Sequence, residues 1–132
     1  MVDFYCCDPG DAYLSNEVLS NFRLLQELTL NCVAVDDDLL PMLATFSGLT
    51  SLSMLNLVGG KEEMVFPQVN LVTNLRKLTL QSETLHNPVH YLKLGKLKNL
   101  REFRGMSRVI VRDDELPLLY AGLPCIRRIL RR

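Results

Sequence analysis

Apolar residues recur along this chain at a spacing of three, three and two. Phe22, Leu25, Leu28 and Leu30 set the pattern. Leu49, Leu52, Leu55 and Leu57 repeat it, and so do Val72, Leu75, Leu78 and Leu80. Leu97, Leu100 and Phe103 follow, with Gly105 in the last place. Leu123, Ile126 and Ile129 come next, with Arg131 there. The second members stand at residues 25, 52, 75, 100 and 126, which are 27, 23, 25 and 26 residues apart. Val2 and Phe4 take the places of Leu28 and Leu30 in one more copy at the start of the chain. An alternative register exists in the second copy, with Leu49, Leu52 and Met54 in place of Leu52, Leu55 and Leu57. It matches three places rather than four, which favours the first.

The closing step of two predicts a short strand in each copy, because alternate side chains of a strand point to opposite faces. Leu28 and Leu30 then face a core, and their neighbours face away. One such coil cannot cover its own leucines, so adjacent coils must stack on it. The segments between strands carry helix signals. Residues 36–46 and 113–120 begin with Asp36-Asp37-Asp38 and Asp113-Asp114-Glu115 and continue with apolar residues at helical spacing. Acids at that point cap free N–H groups and suit the helix dipole, and Pro117 fits a first turn. Asp11 to Phe22 reads as a third helix and His90 to Leu97 as a weaker fourth. Gly59 to Asn70, with two glycines and Pro67, reads as a loop or a single turn.

The spacing resembles the leucine-rich repeat, L-x-x-L-x-L-x-x-N/C-x-L. The best copy is the run from Leu75 to Leu85, LRKLTLQSETL, and the resemblance covers essentially the whole chain. The Asn/Cys place departs from the pattern: it holds Cys7, Val33, Gly60, Glu83 and Arg108, with Cys32 one residue off. The asparagine ladder that bonds the turning backbone is therefore mostly absent. The acid-led helices resemble the cysteine-containing subclass of the family, common in F-box substrate adaptors.

This resemblance implies an α/β solenoid with a parallel concave sheet and helices or turns on the convex side. Residues 1–132 form a single domain of about five to six repeats, the first and last incomplete. It also implies a non-catalytic protein–protein interaction module, most concretely the substrate-recognition repeats of a ubiquitin-ligase adaptor. No F-box-like helical segment is present in this chain, so that role needs further chain. The alternative is a structural accessory subunit of a larger assembly, packed through the open solenoid ends. Whether the chain alone is a soluble monomer discriminates the two.

The register places the partner-binding residues on the concave face. They are Asp3 and Tyr5; Glu27, Thr29 and Asn31; Met54, Asn56 and Val58; Lys77, Thr79 and Gln81; Glu102, Arg104 and Met106; and Arg128 and Leu130. Charge sharpens this picture. Lys and Arg together number 15, as do Asp and Glu, for zero net charge. Yet residues 1–66 carry two basic groups against ten acidic, a net −8, and residues 67–132 carry the opposite +8. A stacked array keeps chain order in space, so the two halves become poles. Lys77, Arg104 and Arg128, with Arg76, Arg101 and Arg127 beside them, predict a basic stripe interrupted by Glu102. Its expected partner is an acidic or phosphorylated protein surface. The competing expectation is head-to-tail self-association of the two poles.

Other chemistry is excluded in turn. With 132 residues, 48% hydrophobic, the chain supports one packed domain. Neutral charge argues against a nucleic-acid binder of the usual basic kind. Arg127, Arg128, Arg131 and Arg132 read as guards of a sheet edge rather than a nuclear address. The apolar runs are too short for a membrane span, and the first residues lack a signal-peptide pattern. Cys6, Cys7, Cys32 and Cys125 have no zinc or disulfide spacing and read as buried or half-buried free thiols, which places the chain in the cytoplasm or nucleus. His86 and His90 lack a third metal ligand, and Pro88 lies between them. No histidine neighbours a cysteine, and Gly59-Gly60-Lys61 is not a phosphate loop. The expectation is no metal, no cofactor and no enzyme activity.

Overall fold

The structure is a computed structural model that describes residues 2–5, 13–14, 24–31, 34–35, 39–55, 69–82, 94–107 and 111–131. Among these residues the strands are β1 (Val2–Tyr5), β2 (Tyr13–Leu14), β3 (Glu27–Asn31), β4 (Ala34–Val35), β5 (Ser51–Leu55), β6 (Lys77–Ser82), β7 (Glu102–Ser107) and β8 (Arg128–Arg131). Two short α-helices accompany them, α1 (Leu39–Leu43) and α2 (Leu116–Gly122). Six strands form one sheet in the order β1-β3-β5-β6-β7-β8, with every neighbouring pair parallel. β2 and β4 form a separate parallel pair. The chain is therefore an α/β protein whose main strands are laid down in chain order.

Cross-strand pairing aligns the repeats position by position. One row of paired positions runs Val2, Leu28, Leu52, Leu78, Phe103, Ile129, and from Leu28 to Ile129 it faces the core. The next runs Phe4, Leu30, Met54, Leu80, Gly105, Arg131. Leu28, Leu30, Leu52, Met54, Leu78, Leu80 and Phe103 are all at most 1% exposed. Each such side chain contributes roughly 1.5–3 kcal/mol by leaving water.

The second copy adopts the register that counting disfavoured. Leu52 and Met54 point into the core, whereas Leu55 is half-buried on the other face, and Leu57 lies outside the described residues. Phe46, buried three residues before Leu49, supplies the fourth match: Phe46, Leu49, Leu52 and Met54 keep the spacing of three, three and two. A shift of three residues is odd, so it exchanges the two faces of the strand. With it, the spacings along the row from Leu28 to Ile129 become 24, 26, 25 and 26 residues.

The steps of three have a backbone cause. The N–H of Leu49 donates to the Phe46 carbonyl at 3.1 Å, Leu75 to Val72 at 3.3 Å, Leu100 to Leu97 at 3.0 Å and Ile126 to Leu123 at 3.1 Å. Each bond closes a tight turn that delivers the chain into its strand. The period reaches one step further back than the leucine pattern: Leu43, Val69 and Leu94 are buried, and their carbonyls accept from Phe46, Val72 and Leu97 at 2.9–3.0 Å.

The connecting segments pack on the inward face and contact each other in chain order: α1, the 3-10 turn Val69–Leu71, the 3-10 turn Leu94–Lys96, then α2. Leu40, Leu43, Phe46, Val69, Val72, Leu94 and Leu97 join the strand leucines in one core. Asn74 Nδ2 donates to the Ser47 carbonyl at 3.2 Å, tying one turn to the next.

Several expected helices shrink or fail. Tyr13–Leu14 is extended and pairs with Ala34–Val35, so Asp11 to Phe22 is not one continuous helix. Between His90 and Leu97 the described chain makes only a 3-10 turn. A period of about 25 residues from strand to strand leaves little length for a helix after turn and strand are formed. Val69–Leu71 is the single turn expected near the end of the loop segment. Asp113–Glu115 forms a 3-10 turn itself, and neither Arg112 at its N-cap nor Glu115 at the N-cap of α2 makes a side-chain capping bond. The acids fill the first turn, as the helix dipole favours, but the capping bond expected at the N-cap position is not made there. Asp36-Asp37-Asp38 lies outside the described residues. Among the described residues no helix is long and apolar enough to cross a membrane.

Candidate functional site

The outer face of the sheet carries three rows, with strands roughly 4.8 Å apart. The first row is Glu27, Ser51, Lys77, Glu102, Arg128. The second is Thr29, Ser53, Thr79, Arg104, Leu130. The third is Asn31, Leu55, Gln81, Met106, and along the backbone Asp3 and Tyr5 pair with Thr29 and Asn31. Most of the expected site residues, Glu27, Thr29, Asn31, Lys77, Thr79, Gln81, Glu102, Arg104 and Arg128, therefore share one face. Met54 does not: it is fully buried in the core, and the β5 positions facing outward are Ser51, Ser53 and Leu55. Asn56 and Val58 lie outside the described residues.

Exposure differs between rows. Glu27, Lys77 and Arg128 are exposed, whereas Thr29, Ser53, Thr79, Arg104, Asn31, Leu55 and Gln81 are half-buried. Thr29, Thr79 and Arg104 are thus less open than the alternation predicts. Each is flanked by side chains on the adjacent strands, which shade it.

The basic stripe also divides. Lys77 and Arg128 share the first row with Glu102, but Arg104 stands one row on, between Thr79 and Leu130. Glu102 sits between its two cations and pairs with both: Lys77 Nζ lies 3.7 Å from Oε2 and Arg128 Nη1 3.5 Å from Oε1. These exposed pairs contribute at most about 1 kcal/mol each to stability. Their effect on the surface is larger, because they neutralise much of that row.

A further column precedes the strands: Gln26, Thr50, Arg76, Arg101, Arg127. Its alignment comes from shared backbone acceptors. The Gln26 carbonyl accepts from the N–H groups of Thr50 and Ser51 at 3.0 and 3.1 Å, and the Thr50 carbonyl from Arg76 and Lys77 at 2.7 and 3.0 Å. The Arg76 carbonyl accepts from Arg101 and Glu102 at 2.8 and 3.0 Å, and the Arg101 carbonyl from Arg127 and Arg128 at 2.7 and 3.1 Å. Arg76, Arg101 and Arg127 are exposed. Among the described residues no ion pair engages them. Between this column and the first row lies a groove of about 360 Å³, lined by Glu27, Thr50, Ser51, Lys77, Glu102, Arg128 and the three arginines. Sequence spacing placed the arginines only beside the stripe. Their common position four residues after each turn-opening apolar residue (Val72, Leu97 and Leu123) was the signal that could have aligned them as a column.

Among the described residues no group of three or more His, Cys, Asp and Glu gathers to hold a metal. His86, His90, Cys6, Cys7 and Cys32 lie outside the described residues. Cys125 is a free thiol and exposed, not the buried or half-buried one expected. A thiol reagent should titrate it in the folded protein, and Cys125→Ser should remove that fast-reacting thiol while changing stability by less than about 0.5 kcal/mol. Unfolding without reductant should bring the count to four; a count of zero would overturn the expectation of free thiols. No family model, curated protein or solved structure matches the chain.

Proposed function

We propose that this chain is a leucine-rich-repeat solenoid serving as a non-catalytic protein–protein interaction module. The observation that supports the reading most is the separation of roles across the sheet. Equivalent inward positions are apolar in successive strands, while equivalent outer positions change from strand to strand. Inward uniformity is what stacking needs, and outward variety is what recognition needs. In its most concrete form the module selects substrates for a ubiquitin ligase, with an acidic or phosphorylated protein as partner. A role as a structural accessory subunit is the second reading. Strands β1 and β8 support it, since each pairs on one side only among the described residues and so offers backbone groups to a neighbour.

The outer face supplies the test. Ser53→Tyr with Thr79→Tyr fills the centre of the second row without touching the core. An affinity-tagged chain should retain a discrete protein from cell extract that this double variant loses, with both chains monomeric and melting alike. An unchanged set of captured proteins would overturn the interaction reading. A chain soluble only with a co-purifying subunit would favour the accessory role.

A further inference from the structure

We infer that the column Arg76, Arg101 and Arg127 is a phosphoryl-binding site, and that its ligand is a phosphorylated, locally acidic peptide segment of a partner protein. The inference rests on the interaction-module reading and goes beyond it by placing the anion outside the middle of the sheet face.

Three observations carry it. First, the backbone bonds described above hold the three arginines at equivalent positions on successive strands. Their Cα atoms therefore repeat at roughly the 4.8 Å strand spacing. Guanidinium groups so close repel each other and lie well within one Debye length of about 8 Å. Among the described residues no carboxylate forms an ion pair with them. A phosphate dianion does so better than a carboxylate, because its oxygens accept bidentate bonds from two neighbouring guanidinium forks at once. Second, Glu102 occupies the adjacent row and holds Lys77 and Arg128 on either side. It leaves the outer column as the anion-seeking part of the groove and keeps two more cations in reserve. Third, the surroundings disfavour a long polyanion. Glu27 lines the early end of the groove, and the first half of the chain is net −8. Among the described residues no aromatic side chain lines the groove, so bases find no stacking platform there. A peptide with a short anionic stretch and neutral flanks meets neither obstacle. Its flanks can cross the polar second row, where Ser53 and Thr79 offer hydroxyls.

The test uses fluorescence anisotropy of a labelled glycine–serine peptide carrying two neighbouring phosphoserines. The unphosphorylated peptide, its glutamate counterpart and an oligouridylate of matched charge are the comparisons. The full chain should bind the phosphopeptide, bind the glutamate peptide several-fold more weakly, and ignore the serine peptide. Arg101→Gln, which removes the central fork, should weaken binding by about tenfold, equivalent to about 1.4 kcal/mol. Arg101→Lys should recover only part of that loss, because an ammonium lacks the fork. Glu102→Gln should tighten binding by freeing Lys77 and Arg128. Circular dichroism melting checks that each variant remains folded, which the exposure of the arginines favours. Equal binding by Arg101→Gln, or tighter binding of the oligouridylate than of the phosphopeptide, would overturn the site. If Ser53→Tyr with Thr79→Tyr abolishes partner capture while Arg101→Gln leaves it intact, the interaction module stands and the phosphoryl site falls.

Discussion

Phe103→Ala should destabilise the protein by about 3–5 kcal/mol, one of the largest losses available to a single truncation in this chain. Phe103 is 0% exposed and the largest of the fully buried side chains. It stands in the inward row between Leu78 and Ile129, on the strand that joins the two. Leu97 and Leu100, both 0% exposed, belong to the same core cluster. Gly105, two residues along the same strand, brings no side chain to fill a void. The cavity left by alanine therefore collapses only in part, and the cost falls at the upper part of the range. Urea denaturation should show a lower midpoint with an unchanged slope. Ile129→Val offers a contrast: Ile129 is only half-buried, and losing one methyl there should cost no more than about 1.5 kcal/mol. A loss below about 1 kcal/mol for Phe103→Ala would place this ring outside the core and contradict the row.

Much of the architecture was legible because one apolar spacing serves two structural needs. The three-residue steps place apolar side chains at the ends of a backbone-closed turn, and the two-residue step places them on one face of a strand. Phe22 lies outside the described residues, but Leu25, Leu28 and Leu30 behave as the spacing requires, as do Val72, Leu75, Leu78 and Leu80. Helices were less legible. A run such as Asp11 to Phe22 has apolar residues at helical spacing, yet Tyr13–Leu14 takes a parallel partner in Ala34–Val35. Non-local pairing overrides local preference there, and a single sequence does not display its partner.

The candidate site was legible in its residue types and less so in its grouping. Alternation along β6 and β7 put Lys77, Thr79, Glu102 and Arg104 on one face. Which of them stand beside each other depends on register between strands, and that puts Lys77 opposite Glu102 and Thr79 opposite Arg104. A list of cations in successive strands hides this difference. Arg76, Arg101 and Arg127 were harder still, because they precede the strands and align through shared carbonyl acceptors rather than through any apolar period.

The second copy gives the sharpest test of how side chains are shared between the faces. Met54→Ala should cost about 2–5 kcal/mol, whereas Leu55→Ala should cost well under half as much. Both residues lie in β5, and both are large and apolar, so composition does not separate them. Met54 is 0% exposed, pairs with Leu30 and Leu80 across the sheet and belongs to the core cluster. Leu55 is half-buried on the outer face, opposite Asn31 and Gln81. Truncating Met54 leaves a cavity walled by fixed strands, while truncating Leu55 leaves a dent that water fills. The same pair separates stability from recognition. If the outer face binds a protein, Leu55→Ala should weaken partner capture at temperatures where the variant remains folded. Met54→Ala should lower the unfolding midpoint and leave capture unchanged well below that midpoint. Reversed stability effects, with Leu55→Ala the costlier change, would restore the register that the longer count of leucines had favoured and move every outward residue of β5 into the core.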